Sequence, residues 1–160
     1  MRDQLELRAL EPVARCLVRR LIVPRVYYDA NWPGIEGGSV DLLVIDRDGV
    51  GDAHLVEIRR NASDALTAVP RLLDARAPYR WIAFQRGTED QASAEALASQ
   101  TPLYREGHAG RVGVIEFFEM AGSDLGANVR VTAERFATPA YDLATTYSGT
   151  HVAQMQFTGG

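Results

Sequence analysis

The chain has 160 residues, 46% of them apolar and 24% charged, which suits one compact domain able to bury a core without covalent staples. All 17 of its basic Lys and Arg positions are arginine, which excludes Schiff-base and pyridoxal chemistry and the Walker phosphate loop, because each needs a lysine amine. The single cysteine, Cys16, excludes an internal disulfide, and a net charge of −4 argues against coating nucleic acid by bulk attraction.

The N-terminal stretch MRDQLELRAL carries charges where a signal peptide would be apolar, and no apolar run approaches the roughly 20 residues of a membrane helix. The expectation is a cytoplasmic protein with no membrane contact. The charge is not spread evenly: residues 1–28 sum to +3, 29–56 to −5, 57–86 to +3 and 87–160 to −5. Two arginine-bearing segments thus flank an acidic one, an order that suits either a metal held between phosphate-binding arms or ordinary solvated helix faces.

From Leu5 to Val23 the apolar residues Leu10, Ala14, Leu17 and Leu21 recur at helical spacing, with Arg8, Arg15 and Arg19 on another face. Pro12 either kinks this helix or marks its first turn, and Pro24 ends it. Val26-Tyr27-Tyr28 reads as a short strand. A loop at Asn31–Gly38 precedes two nearly continuous apolar runs, 39–46 and 53–59, about the glycine-bearing turn 47–52, which together predict a hairpin covered on both faces.

Asn61 or Ser63 can cap a helix over about 64–76, with Leu66, Val69, Leu72 and Leu73 as its buried stripe and Pro70 as a possible break. Tyr79–Phe84 reads as a strand, 90–100 as an alanine-rich helix, 111–119 as a strand and 128–136 as another. The pattern predicts an α/β architecture, a mixed central sheet flanked by helices over 1–137. Residues 138–160 form a separate tail: a hairpin, a disordered end, or an arm onto a second copy or another protein.

With the hairpin centred on Gly49, residues whose numbers add to 98 face each other, so Asp41 sits opposite Glu57, provided that no bulge shifts the register. Arg59, two residues on, shares their face. Two close carboxylates repel unless a cation or a shared proton relieves them.

Gly-Gly-Ser-Val-Asp41 followed by Val-Glu57-Ile-Arg59, with a helix before and a helix and strand after, resembles the restriction-endonuclease-like superfamily, the PD-(D/E)XK nucleases. The resemblance spans about residues 5–118. It implies that Asp41, Glu57 and the Ile58 carbonyl hold Mg²⁺ or Mn²⁺ for attack on DNA phosphodiesters, that Glu11 on the first helix joins them with Glu6 behind it, and that Arg59 stands where the family has a catalytic lysine. There is no proline before Asp41, a minor departure.

The arginine is the major one. It is always charged and cannot act as a general base, and general acid-base help is typically worth about 10²–10⁴-fold. Two expectations follow: a metal-dependent nuclease in which Arg59 orients water or phosphate, or a catalytically degenerate nuclease fold, needing no cofactor, that binds nucleic acid or assembles with protein.

Arg15, Arg19, Arg20, Arg60, Arg71, Arg76 and Arg80 are candidate phosphate contacts, and Trp32 is a candidate to stack on a base. His54, His108 and His151 lack the spacing of a zinc site, and Cys16 reads as a small buried hydrophobe.

Overall fold

The computed structural model describes residues 4–32, 39–47, 51–75, 77–87, 91–99, 111–135 and 148–151. The loop 33–38, Arg76, His108 and the rest of the segment after 137 lie outside the described residues. Helix α1 (Gln4–Val18) is followed by strands β1 (Arg25–Asn31), β2 (Ser39–Ile45) and β3 (Ala53–Ile58). Next come α2 (Ala62–Asp74), β4 (Tyr79–Gln85), α3 (Gln91–Ser99), β5 (Gly113–Glu119), β6 (Leu125–Val131) and β7 (Ser148–His151).

The sheet has seven strands in the order β6-β5-β4-β3-β2-β1-β7. β3, β4 and β5 are parallel neighbours and every other pairing is antiparallel, which makes it a mixed α/β sheet. Alternation along the strands divides the core in two. Leu43, Leu55 and Ile82 pack with α2 on one face, while Leu42, Val56 and Phe117 pack with α1 on the other. β3 is buried along its whole length, as its unbroken apolar run predicts for a strand covered on both faces.

Three local expectations need correction. Pro12 is not a first turn: α1 begins at Gln4 and continues past it to Val18, forgoing the bond that a non-proline residue would make to the carbonyl four residues back. Nor does α1 reach Val23, because after Val18 the chain tightens into turns in which the Arg20 and Leu21 N–H groups donate to the Leu17 and Val18 carbonyls. Pro70 does not split α2; it lies on the exposed side of a helix that Asn61 caps by accepting from the Asp64 N–H at 2.8 Å.

The β2–β3 register follows the arithmetic of the sequence, with Leu42 opposite Val56, Leu43 opposite Leu55, Val44 opposite His54 and Ile45 opposite Ala53. Just past the last of these pairs, the Asp41 and Glu57 carboxyls come together. At the sheet edge, Tyr27 and Tyr28 of β1 pair with His151 and Thr150, so part of the segment after 137 belongs to this chain's own sheet.

Candidate functional site

Asp41 and Glu57 lie on the α2 face of the hairpin, two residues along from Leu43 and Leu55, and Arg59 follows on the same side. The Ile58 N–H donates to Asp41 Oδ2 at 2.7 Å. Arg59 then curls back over the strand end. Its Nη1 stands 2.9 Å from Glu57 Oε2 and 3.1 Å from Asp41 Oδ2, and donates to the Ile58 carbonyl at 2.8 Å.

A second guanidinium closes the site. Arg71 of α2 puts Nη1 3.4 Å from Glu57 Oε1 and donates through Nη2 to the Ser39 carbonyl. That 3.4 Å separation gives charge attraction without hydrogen-bond geometry, and Glu57 Oε1 is buried with no hydrogen-bond partner. A proton shared with Asp41 would relieve the repulsion between the two carboxyls. Burial, and secondarily the neighbouring Asp41 charge, push the Glu57 carboxyl up to about 7, against the lowering pull of Arg59 and Arg71.

Asp41, Glu57 and the Ile58 carbonyl are hard oxygen donors of the kind Mg²⁺ accepts. Arg59 Nη1 already contacts all three, however, and Glu57 at about 7 is a weak anion at neutral pH. As placed, these residues fit an internal cation rather than a metal ion. Among the described residues, no cluster of three or more His, Cys, Asp or Glu side chains could hold a metal.

Glu11 does not join them. α1 packs on the opposite face of the sheet, where Glu11 is exposed and pairs with Arg15 at 2.6 Å, one helical turn on. Arg15 is therefore engaged locally, whereas Arg19 and Arg60 are exposed. Trp32 is not a stacking platform: it is 3% exposed and packs in the α2-side core, so no base can reach it. Arg80 is likewise no phosphate contact, being 1% exposed with Nη1 donating to the Leu73 carbonyl at 3.2 Å.

Sequence reasoning missed what Arg71 does. Its reach to Glu57 depends on how α2 lies across the hairpin, for which no local pattern exists. It also passed over Glu116 on β5, an acid inside an apolar strand, which accepts from Arg86 Nε at 2.9 Å and Arg130 Nη1 at 2.5 Å beside a cleft of about 280 Å³. An acid interrupting such a run was the signal available, since a buried carboxylate needs partners.

Fold and site together define a mixed-sheet α/β protein with a carboxylate pair, buried Glu57 and half-buried Asp41, closed by arginines. Among solved structures, the chain is similar to SPO1766, a protein of unknown function from Silicibacter pomeroyi, with a TM-score of 0.55 and 13% identity over 91% of this chain and 83% of that one. At that identity the likeness speaks to the fold alone. No protein-family model and no curated protein matches the sequence. No helix among the described residues is long and apolar enough to cross a membrane.

Proposed function

We propose that the chain is a catalytically silent member of the nuclease-like fold class that serves as a nucleic-acid-binding module. One observation carries this reading: Arg59 Nη1 lies within 3.1 Å of both carboxylates and of the Ile58 carbonyl, the three groups that the resemblance assigns to a metal. Two guanidinium charges offset two carboxylates, so the site has little field left to attract a divalent ion. Neither arginine can take a proton from water at neutral pH.

The nucleic-acid role is supported by exposed arginines, Arg19, Arg20, Arg47 and Arg60, on a chain whose net charge is acidic. Contacts would then be local rather than a general coating. The alternative of a docking arm after 137 is weakened because Ser148–His151 pairs with β1 of the same chain.

The test is incubation of plasmid and single-stranded DNA with the protein in Mg²⁺ or Mn²⁺, beside DNA binding measured in chelator. Binding without metal and no cleavage above an Asp41→Ala control is the expected result. Cleavage that Asp41→Ala abolishes would establish the opposite, a working nuclease.

A further inference from the structure

At the end of β2 away from Asp41, the chain leaves α1 and enters β1 through Arg19-Arg20-Leu21-Ile22-Val23-Pro24-Arg25. Ile22 and Val23 form an apolar tip, 62% and 64% exposed. The tip is pinned from below. The Ile22 N–H donates to Asp46 Oδ1 at 2.7 Å, and the Arg47 N–H donates both to the Ile22 carbonyl at 2.7 Å and to Asp46 Oδ1 at 2.8 Å.

Val23 has φ 45°, a left-handed conformation that a β-branched residue adopts only under strain, and it immediately precedes a proline, which restricts it further. The fold therefore holds Val23 outward in an unfavourable backbone shape, beside an equally exposed Ile22, instead of hiding it. Arg19 and Arg20 at the end of the helix, and Arg47 bonded to the tip, are all exposed.

We infer that this tip is a contact for duplex DNA, in which Arg19, Arg20 and Arg47 hold phosphates while Ile22 and Val23 wedge against a base step. The inference rests on the nucleic-acid reading above and gives it a surface. Cations around an apolar projection call for a polyanion with apolar faces within reach. Guanidinium forks match phosphate oxygens in pairs, and aliphatic wedges flanked by arginine unstack base steps. An anionic membrane offers the same charge, but two side chains supply less apolar anchor than a single acyl chain, itself only marginal.

The test is fluorescence anisotropy with a short labelled duplex in chelator across a salt series. Val23→Gly should lower affinity about tenfold, the worth of one buried aliphatic side chain, without changing the salt slope. Because glycine accepts a positive φ, this variant should melt no lower than wild type, which separates lost contact from lost fold. Arg19→Gln, Arg20→Gln and Arg47→Gln combined should flatten the log–log salt slope by about 2.7, at roughly 0.9 per phosphate.

Wild-type affinity in Val23→Gly and Ile22→Ser, with the slope unchanged in the triple variant, overturns the tip assignment and leaves the nucleic-acid reading standing. A wild-type protein that ignores DNA but binds phosphatidylserine vesicles overturns both.

Discussion

Two buried groups on opposite faces of the hairpin should cancel each other's pH dependence, and breaking one should expose the other. His54 is 5% exposed, stacked on Tyr79 at 4.4 Å, and accepts from Trp81 Nε1 at 3.0 Å. Burial lowers it from 6.5 to about 4, against the raising pull of Asp46 and Asp52. Unfolded, it takes a proton below 6.5, so its contribution is present above that pH and is lost as pH falls towards 4. Glu57, 1% exposed, is moved the other way, from 4.5 to about 7, chiefly by burial. Its contribution is complete below 4.5 and is lost as pH rises through 7. Each displacement is worth on the order of 3 kcal/mol, with a slope of about 1.4 kcal/mol per pH unit.

Over roughly pH 4.5–6.5 the two slopes oppose, and wild-type stability should be nearly flat. Glu57→Gln lowers stability throughout by removing the partner of Arg59 and Arg71, but the informative quantity is the slope. In that variant stability should climb by about 3 kcal/mol between pH 4 and 6.5. Urea unfolding followed by tryptophan fluorescence at half-unit pH intervals measures it, since Trp32 and Trp81 are both buried. A Glu57→Gln profile as flat as wild type would refute the reasoning, as would a wild-type profile that changes steadily across the window.

Arg59→Ala should destabilise by about 3–5 kcal/mol, because it leaves buried Glu57 and half-buried Asp41 short of a cation. Thermal melting should then show Mg²⁺ raising the midpoint only where Arg71→Gln accompanies Arg59→Ala, and not in wild type, by mass action on the vacated oxygens. Glu11→Gln should change stability by less than about 0.5 kcal/mol, as expected for an exposed ion pair, while Trp32→Ala should cost about 3–5 kcal/mol by opening the core. Paired chemical denaturation of these two variants checks that the acid is surface and the tryptophan core.

The legible parts of this protein were those set by neighbours in sequence. A hairpin register is fixed by its turn, so counting from Gly49 brings Asp41 opposite Glu57, and Asn61 or Ser63 signals a helix start by its hydrogen-bonding chemistry, the cap proving to be Asn61. Periodicity shows that a helix has a buried stripe but not which side of the sheet receives it, which is why Glu11 was expected at a site that α1 never faces. Trp32 and Arg80 misled because side-chain chemistry says what a residue can do when exposed, and burial is decided by the whole sheet. Arg80 is charged only at its tip, and its Nη1 meets the Leu73 carbonyl near the end of α2 inside the core.

Whether Arg59 alone closes the carboxylate site to a metal ion depends on Arg71. If Arg59 alone kept a metal ion out, Arg59→Lys would admit one, since a compact ammonium can leave the oxygen triangle as a guanidinium held by three acceptors does not. Arg71 argues otherwise. Anchored on the Ser39 carbonyl, it still neutralises Glu57 after the exchange, and a carboxyl with burial and Asp41 against it remains a reluctant anion. Arg59→Lys alone should therefore show no Mg²⁺-dependent rise in melting temperature, and Arg59→Lys with Arg71→Gln should show one, because only the double variant leaves the pair with an uncompensated charge. Mg²⁺ stabilisation of the single variant equal to that of the double would mean that Arg71 does not hold the site shut, and that Arg59 alone keeps a metal ion out.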